Sequence, residues 1–171
     1  MLLEARIAKP KDYRQISTLC RRAVGSHDYA LHFLSETIKE GGLFLAFEGG
    51  RLVGMTNFEK CIDGSGWLSM ARTHPDWRGR GVAVFLQVKI TDYARSRGVK
   101  ALRLWTLATN KPAVRACQKS GFKRVCEALH VSASLRKAKR PSRVSNVHSV
   151  SRGFLRSVLQ SSYIAKMNGY A

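Results

Sequence analysis

Apolar and polar residues follow two different spacings along the chain, which predict a protein of mixed helices and strands. Residues 13–24 and 28–39 repeat apolar side chains every three or four positions, the spacing of one helix face. The compact apolar run 43–47 is typical of a buried strand. The Gly49-Gly50 pair that follows this run predicts a tight hairpin into the next strand.

The rest of the pattern completes the order strand, helix, helix, three strands, helix, strand, helix, strand. After the hairpin, the predicted elements are a strand at 67–73, a helix at about 81–97, a strand at 101–107, a helix from Pro112 to Gly121 and a strand from 122 to about 135. This order predicts an α/β fold in which an antiparallel meander leads into a β-helix-β unit. Residues 154–159 repeat apolar positions at the spacing of one more short helix.

Length and composition indicate one globular domain and exclude a disordered or fibrous chain. The sequence has 171 residues, of which 44% are hydrophobic and 24% charged. No apolar run approaches the ~20 residues of a membrane helix, and the first residues lack a signal-peptide pattern, so we expect a cytoplasmic protein without a membrane partner. The four cysteines show neither Cys-x-x-Cys spacing nor clustering with histidine, which predicts reduced thiols and no metal site.

Positive charge dominates the chain and is unopposed near its C-terminus. Lys and Arg number 30 against 11 for Asp and Glu, a net charge of +19, and every acidic residue precedes residue 128. We therefore divide the sequence into a domain at 1–135 and a basic tail or extension at 136–171. Such a tail favours weak, non-specific nucleic-acid binding, and a nucleic-acid-binding module stays open although no recognised nucleic-acid motif is visible. The apolar positions of 154–159 leave a homodimer open as well.

Residues 67–83 place the end of a strand, a glycine-rich turn and the start of a helix in succession. A helix N-terminus with free N–H groups favours an anion, and the lack of a Cβ at Gly79 and Gly81 lets a pyrophosphate approach the backbone. Arg78 and Arg80 add positive charge. The segment matches neither the P-loop nor the Gly-x-Gly-x-x-Gly dinucleotide fingerprint, and an ordinary basic turn is the alternative interpretation.

Two motifs carry a resemblance to a known family. Arg78-Gly79-Arg80-Gly81-Val82-Ala83 matches the Arg/Gln-x-x-Gly-x-Gly/Ala signature of the GNAT superfamily of acetyl-CoA-dependent N-acetyltransferases. The segment Asn110–Phe122 resembles the family pattern of Asn-x-x-Ala, a helix and Gly-Phe. The resemblance covers about residues 3–133. It implies the GNAT fold, a mixed and mostly antiparallel sheet that is splayed between its fourth and fifth strands and has helices on both faces.

The resemblance also implies an activity and a cofactor site. The activity is transfer of an acetyl group from acetyl-CoA, by direct attack in a ternary complex, to a primary amine of a small molecule or a protein N-terminus. The backbone of Ala71, Arg72 and Thr73 would pair with the pantetheine arm and hold the acetyl carbonyl. The residues expected around the pyrophosphate are Arg78, Gly79, Arg80, Gly81, Val82, Ala83 and Val84. The Asn110 side chain would bond the pantetheine, and its alternative role is that of a helix cap.

The sequence departs from the family at the catalytic positions. Cys117 stands where many relatives carry a proton-donating Tyr, so we predict Cys117 as the general acid, with a small core residue as the alternative. Ser69 and Trp105 occupy the places of the usual carboxylate base, and neither side chain can take a proton. Glu59, His74 and bulk water remain candidate bases. A GNAT-fold protein that binds acetyl-CoA without catalysis therefore stays an alternative.

Overall fold

The computed structural model describes residues 2–131 and 164–170, and it describes side chains for residues 2–127. Seven strands and four α-helices lie within these residues. They are β1 (Leu3–Ile7), α1 (Tyr13–Ala23), α2 (Ala30–Glu40), β2 (Leu43–Glu48), β3 (Arg51–Lys60), β4 (Gly66–Thr73), α3 (Val82–Ser96), β5 (Leu102–Leu107), α4 (Lys111–Lys119), β6 (Arg124–Val131) and β7 (Ile164–Tyr170). Short 3-10 turns at Pro10–Asp12 and Pro75–Trp77 precede α1 and α3.

All seven strands belong to one mixed sheet. Its order is β1-β2-β3-β4-β5-β7-β6, and every neighbouring pair is antiparallel except β4 and β5. The hairpin predicted at Gly49-Gly50 joins β2 to β3, and both glycines have a positive φ. The α/β class and the mostly antiparallel sheet predicted from the sequence are thus confirmed.

The sheet opens between β4 and β5. The two strands pair only from Gly66 to Leu68 on β4, whereas β4 continues to Thr73. Beyond that point β4 carries a bulge, because its register with β3 shifts and Met70 has a φ of 53°. A bulge bends its strand, so the edge of residues 69–73 that faces β5 is left without a ladder partner. This confirms the predicted splay.

The helices cover both faces of the sheet, as predicted. One core lies under α1 and α2, and its fully buried members include Ile16, Leu34 and Met55. The other lies under α3 and α4; its fully buried members include Val53, Val82, Leu86 and Ile90. A Cβ on Gly54 of β3 would lie 2.5 Å from a methyl carbon of Val82, so only glycine lets α3 pack this closely. This packing fixes the first turn of α3 beside the end of β4.

The start of α1 is fixed by an ion pair. Asp12 lies at the N-cap of this helix, but its side chain makes no capping bond to the helix. The carboxylate instead accepts two hydrogen bonds from Arg6 at 2.6 and 2.8 Å and one from the Lys9 N–H at 2.8 Å. These bonds, chiefly those from Arg6, hold the pKa of Asp12 well below its ordinary value. The ion pair ties β1 to the start of α1.

The C-terminal segment contributes to the sheet, which the sequence analysis missed. The sequence analysis placed no strand beyond about residue 135, whereas β7 pairs with both β5 and β6. In the described part of the chain β6 joins the sheet only through β7. The helix predicted at 154–159 lies outside the described residues. The assignment of 136–171 as a basic tail or extension stays a prediction.

Candidate active site

The glycine-rich turn presents an open concave side at the start of α3. Gly79 and Gly81 have φ values of 76° and 83°, and a Cβ built on either would meet no atom within 4 Å. The first bond of the helix runs from the Phe85 N–H to the Gly81 carbonyl. The N–H groups of the three residues before Phe85 therefore precede the intrahelical ladder; these residues are Val82, Ala83 and Val84. Free N–H groups and the helix dipole make this end of α3 attractive to an anion.

The two arginines of the turn do not behave alike. The Arg78 guanidinium donates a hydrogen bond of 2.7 Å to the carbonyl of Ala23, the last residue of α1. Its side chain therefore ties the turn to α1. The Arg80 guanidinium lies 5.8 Å from the centre of the Trp77 ring. The expectation that both arginines add charge to the anion site stays a prediction. The geometry favours the backbone N–H groups, rather than the arginine side chains, as the part of the turn that binds an anion.

The backbone of Ala71, Arg72 and Thr73 borders the gap between β4 and β5. On the β3 side Arg72 is opposite Met55 and Thr73 is opposite Gly54. On the other side the pairing with β5 has ended, so the peptide groups can bond an extended ligand as a neighbouring strand would. The gap leads directly to the glycine turn, because only the short segment 74–77 separates the two.

A buried ion pair holds the end of β4 in place. The Arg72 side chain donates to both carboxylate oxygens of Asp28, at 2.6 and 2.8 Å, and the carboxylate also accepts from the Ala30 N–H at 3.0 Å. The side chains of Asp28 and Arg72 are 0% and 11% exposed. Burial by itself raises the pKa of Asp28, but the bonds from Arg72 and Ala30 outweigh it, so the pKa lies below its ordinary value. The pair anchors the α1–α2 loop on β4 beside the gap.

Asn110 lies at the N-cap of α4, next to the end of β5. Its side-chain oxygen accepts a hydrogen bond of 3.3 Å from the Ala113 N–H. This is the capping role that sequence reasoning held as the alternative. The Asn110 side chain is exposed, and its amide nitrogen keeps two hydrogens that can reach a ligand. Capping and the predicted bond to pantetheine are therefore compatible.

The comparisons with known proteins agree with this arrangement. Residues 11–122 match the model of the acetyltransferase (GNAT) family. This range includes β4, the glycine turn, α3 and α4. The chain belongs to the GNAT acetyltransferase family. An uncharacterized N-acetyltransferase of Methanocaldococcus jannaschii is 33% identical over 94 residues, which are 48% of this chain and 39% of that protein. The chain thus spans well under half the length of that relative.

Solved GNAT structures share the fold. A GNAT acetyltransferase from Bacillus cereus superposes with a TM-score of 0.68 and 15% identity over 100% of this chain and 97% of that one. The PaiA N-acetyltransferase from Thermoplasma acidophilum, solved in complex with coenzyme A, gives a TM-score of 0.60 and 18% identity over 73% and 92% of the two chains. At these identities the likeness establishes the architecture. No helix in residues 2–131 or 164–170 is long and apolar enough to cross a membrane.

Cys117, the predicted general acid of this GNAT chain, lies in the core. It is 2% exposed, packs in the cluster beneath α3 and α4, and its sulfur accepts a hydrogen bond of 3.7 Å from the Gln87 side chain. Burial raises the pKa of the thiol. The location matches the alternative interpretation of a small core residue. The acid role stays a prediction, and the structure offers it no support because the short side chain ends among core atoms.

The candidate bases are dispersed. Ser69 lies on β4 and Trp105 on β5, and neither can act as a base. Glu59 is exposed near the end of β3, opposite Trp67. His74 is 4% exposed and its Nδ1 accepts from the Asp76 N–H at 3.3 Å, so it has a structural role in the turn after β4. Burial, more than any neighbouring charge, lowers the pKa of His74 below its ordinary value.

An aromatic surface on β4 and β5 was not predicted from the sequence. The rings of Trp67 and Trp105 lie 6.3 Å apart, and Trp105 and Leu107 remain 38% and 45% exposed. Alternation in strands places these side chains on one face of the sheet, so the signal was present in the sequence spacing. Bringing them together required the parallel register of β4 with β5, which joins residues 36 positions apart. We call Trp67, Trp105 and Leu107 the indole face.

Proposed function

We propose that this chain transfers an acetyl group from acetyl-CoA to a primary amine, carried by a small molecule or by a protein N-terminus. The observation that carries the proposal is the unpaired edge of β4 leading into an open glycine turn at the N-terminus of α3. An acyl-CoA has an extended amide-bearing arm and a pyrophosphate, which match these two features in order. The GNAT family match and the relative solved with coenzyme A support the assignment.

In this proposal the backbone supplies most of the cofactor contacts. The N–H groups of Val82, Ala83 and Val84 bind the pyrophosphate, and the edge of residues 71–73 bonds the pantetheine amides. The Asn110 amide nitrogen donates to the same arm from the opposite side of the gap. A ligand that completes a strand edge in this way needs little reorganisation of the protein, because the bulge has already separated β4 from β5.

The reaction is the aminolysis of a thioester. The neutral amine nitrogen attacks the carbonyl carbon, the new C–N bond forms, and the carbonyl electron pair moves onto oxygen. When the intermediate collapses, the C–S bond breaks and coenzyme A leaves as a thiolate that takes up a proton. A backbone N–H at the end of β4 stabilises the oxyanion, and holding both reactants in the gap supplies the effective concentration. Bulk water takes the amine proton, because Ser69 and Trp105 cannot and His74 is buried in the turn after β4. Glu59 lies opposite Trp67, in the part of β4 that still pairs with β5, and so lies outside the gap.

The indole face is the proposed contact surface for the acceptor. Trp67 lies where β4 and β5 still pair, Trp105 lies next to the point where this pairing ends, and Glu59 lies opposite Trp67 with its carboxylate exposed. Aromatic rings bind the apolar or cationic body of an amine, and a carboxylate attracts its ammonium form before deprotonation. The acceptor is thus an amine on an apolar or cationic body.

Steady-state release of coenzyme A from acetyl-CoA, measured with a panel of amines and N-terminal peptides, tests the proposal. We expect turnover with at least one acceptor. The Trp105→Ala variant should raise the acceptor KM several-fold and leave the KM for acetyl-CoA unchanged. Val125→Ala removes another exposed apolar side chain away from the gap and is the matched control. An unchanged acceptor KM in Trp105→Ala would remove the indole face from the proposal.

Binding without catalysis is the second candidate function. The observation that favours it is the burial of Cys117, the residue of α4 at the family's proton-donor position. This candidate predicts saturable acetyl-CoA binding in a calorimeter and no acyl transfer to any amine of the panel. The cytoplasmic location, the homodimer and the weak nucleic-acid binding of the tail stay predictions. Elution from heparin only at high salt, measured with and without competing acetyl-CoA, tests the last of these.

A further inference from the structure

A cavity lies next to α1, at the end of β4 that leads to the glycine turn. It has a volume of about 330 Å³ and is bounded by α1, by the β2–β3 turn and by the residue that follows β4. Arg22, Arg51 and His74 line it, and no carboxylate does. We call it the α1 pocket. Nothing in the proposed acetyl transfer uses this pocket.

Three nitrogens converge in the α1 pocket. Nη1 of Arg22 and Nη2 of Arg51 each lie 3.4 Å from Nε2 of His74. The Asp76 N–H lies 3.3 Å from Nδ1 of the same ring, and the Asp76 carboxylate lies 3.7 Å from Nδ1. Two guanidinium groups are therefore held near one ring nitrogen, and no carboxylate lines the pocket.

Burial keeps the His74 ring uncharged. His74 is 4% exposed, and its pKa is lowered by burial and by the charges of Arg51, Arg22 and Arg78, against an opposing effect of Asp76. The neutral ring is therefore the form present at neutral pH. An uncharged ring adds no negative charge to offset the two guanidinium groups beside it, so a bound anion would be stabilised there.

The charge of the pocket is also uncompensated. Among residues 2–127, neither Arg22 nor Arg51 pairs with a carboxylate. The Arg51 guanidinium stacks over the Trp77 ring at 4.6 Å from its centre, and that ring also contacts His74 edge-on at 4.9 Å. Glu48 is committed elsewhere, because it accepts the hydrogen bond from the Trp77 indole. The packing thus holds two like charges near one point.

We propose that the α1 pocket is an oxyanion site that binds the phosphate group of a small molecule. Tetrahedral oxyanions carry several acceptor oxygens, and planar guanidinium groups bind them through paired N–H donors. Arg22 and Arg51 supply such donors at the pocket. A volume of about 330 Å³ exceeds one phosphate group and leaves room for part of the molecule that carries it.

The test is calorimetric titration of the full chain with inorganic phosphate near pH 7.5. We expect saturable binding that weakens about tenfold or more in Arg22→Met and in Arg51→Met, because each loses a charge-assisted hydrogen bond. Arg95→Met is the matched control, since Arg95 is exposed on α3 and loses the same charge. Its affinity for phosphate should equal that of the wild type. Equal affinity in all four proteins, or no saturable binding to the wild type, would overturn the proposal.

A second measurement does not depend on the variants folding. In a nitrogen–proton NMR spectrum of the wild type, phosphate should shift the His74 ring signal and the Trp77 indole signal together. The Trp67 and Trp105 indole signals should stay in place, because neither residue lines the α1 pocket. A shift confined to Trp67 and Trp105, or to the amides of 81–84, would place the phosphate elsewhere and refute the site.

Two sources could supply the phosphate, and coenzyme A distinguishes them. If the group belongs to coenzyme A itself, Arg22→Met should weaken binding of coenzyme A more than that of 3′-dephospho-coenzyme A. If it belongs to a separate molecule, Arg22→Met should affect both forms equally, and inorganic phosphate should still bind protein saturated with coenzyme A. Failure of the protein to bind any coenzyme A would refute the proposed acetyl transfer but leave the phosphate titration interpretable.

Discussion

Replacing Gly81 with Asp separates a cofactor role of the glycine turn from a purely structural one. Gly81 has a φ of 83° and open space where a Cβ would project. An Asp side chain would fit this open space, but the positive φ would strain the backbone by roughly 1–2 kcal/mol. The negative charge at the N-terminus of α3 offsets this by about 0.3–1 kcal/mol. The variant should therefore fold, with a modest loss of stability.

The effect on binding should be much larger. A carboxylate about 5 Å from a phosphate group repels each phosphate charge by roughly 3 kcal/mol at an effective dielectric constant of 20. Since a pyrophosphate has two such charges, acetyl-CoA should bind at least about 100-fold more weakly than to the wild type. Gly81→Asn has nearly the same size without the charge, so its loss of affinity measures the steric part alone and should be smaller.

Gly98→Asp is the matched control for strain and net charge. Gly98 follows the other end of α3, has a φ of 72° and also has open space at its Cβ position. It lies about 25 Å away along the helix axis, so acetyl-CoA affinity should be unchanged. Calorimetry on the folded variants gives the affinities, and thermal unfolding gives the folded fraction. Wild-type affinity in Gly81→Asp, or an equal loss in Gly98→Asp, would refute the assignment of the turn.

Three further outcomes follow from the described contacts. Cys117→Ala should lower the Tm, because it leaves a core cavity, and should keep kcat per folded molecule unchanged; a fall of about 100-fold in kcat would restore the general-acid role. Asp28→Asn should lower the free energy of unfolding at pH 7 by about 3–5 kcal/mol, because Arg72 is left buried without its counter-charge. The pKa of Asp28 is lower in the folded than in the unfolded protein. The ionised carboxylate therefore stabilises the fold at pH values above its unfolded pKa of about 3.9, and this stabilisation is lost as the pH falls through the folded value. In that acidic range the free energy of unfolding in urea should depend less on pH in Asp28→Asn than in the wild type. Deletion of 164–170 should lower the Tm and promote aggregation, because β6 then has no described neighbour in the sheet; an unchanged Tm would show that the strand adds nothing to stability.

The predictions made from local sequence agree well with the structure. The periodicity of 13–24 and 28–39 predicted α1 and α2, and the Gly49-Gly50 pair predicted the hairpin between β2 and β3. The turn at 78–81 and the position of Asn110 before a helix were also recognised directly. Each of these features depends on residues within about one helical turn or one hairpin of each other. Backbone propensity and capping act over that range, so the sequence alone determines them.

Tertiary structure decided the features that depend on distant residues. Asp28 and Arg72 are 44 positions apart, and neither motif nor spacing links them; only the docking of the α1–α2 loop on β4 does. Cys117 occupies a family motif position, but its burial depends on how α4 packs against α3. The strand at 164–170 lacks an alternating pattern strong enough to identify it, and its place between β5 and β6 is set by long-range backbone pairing. Contacts of this kind depend on the whole chain closing on itself, which local residue preferences do not encode.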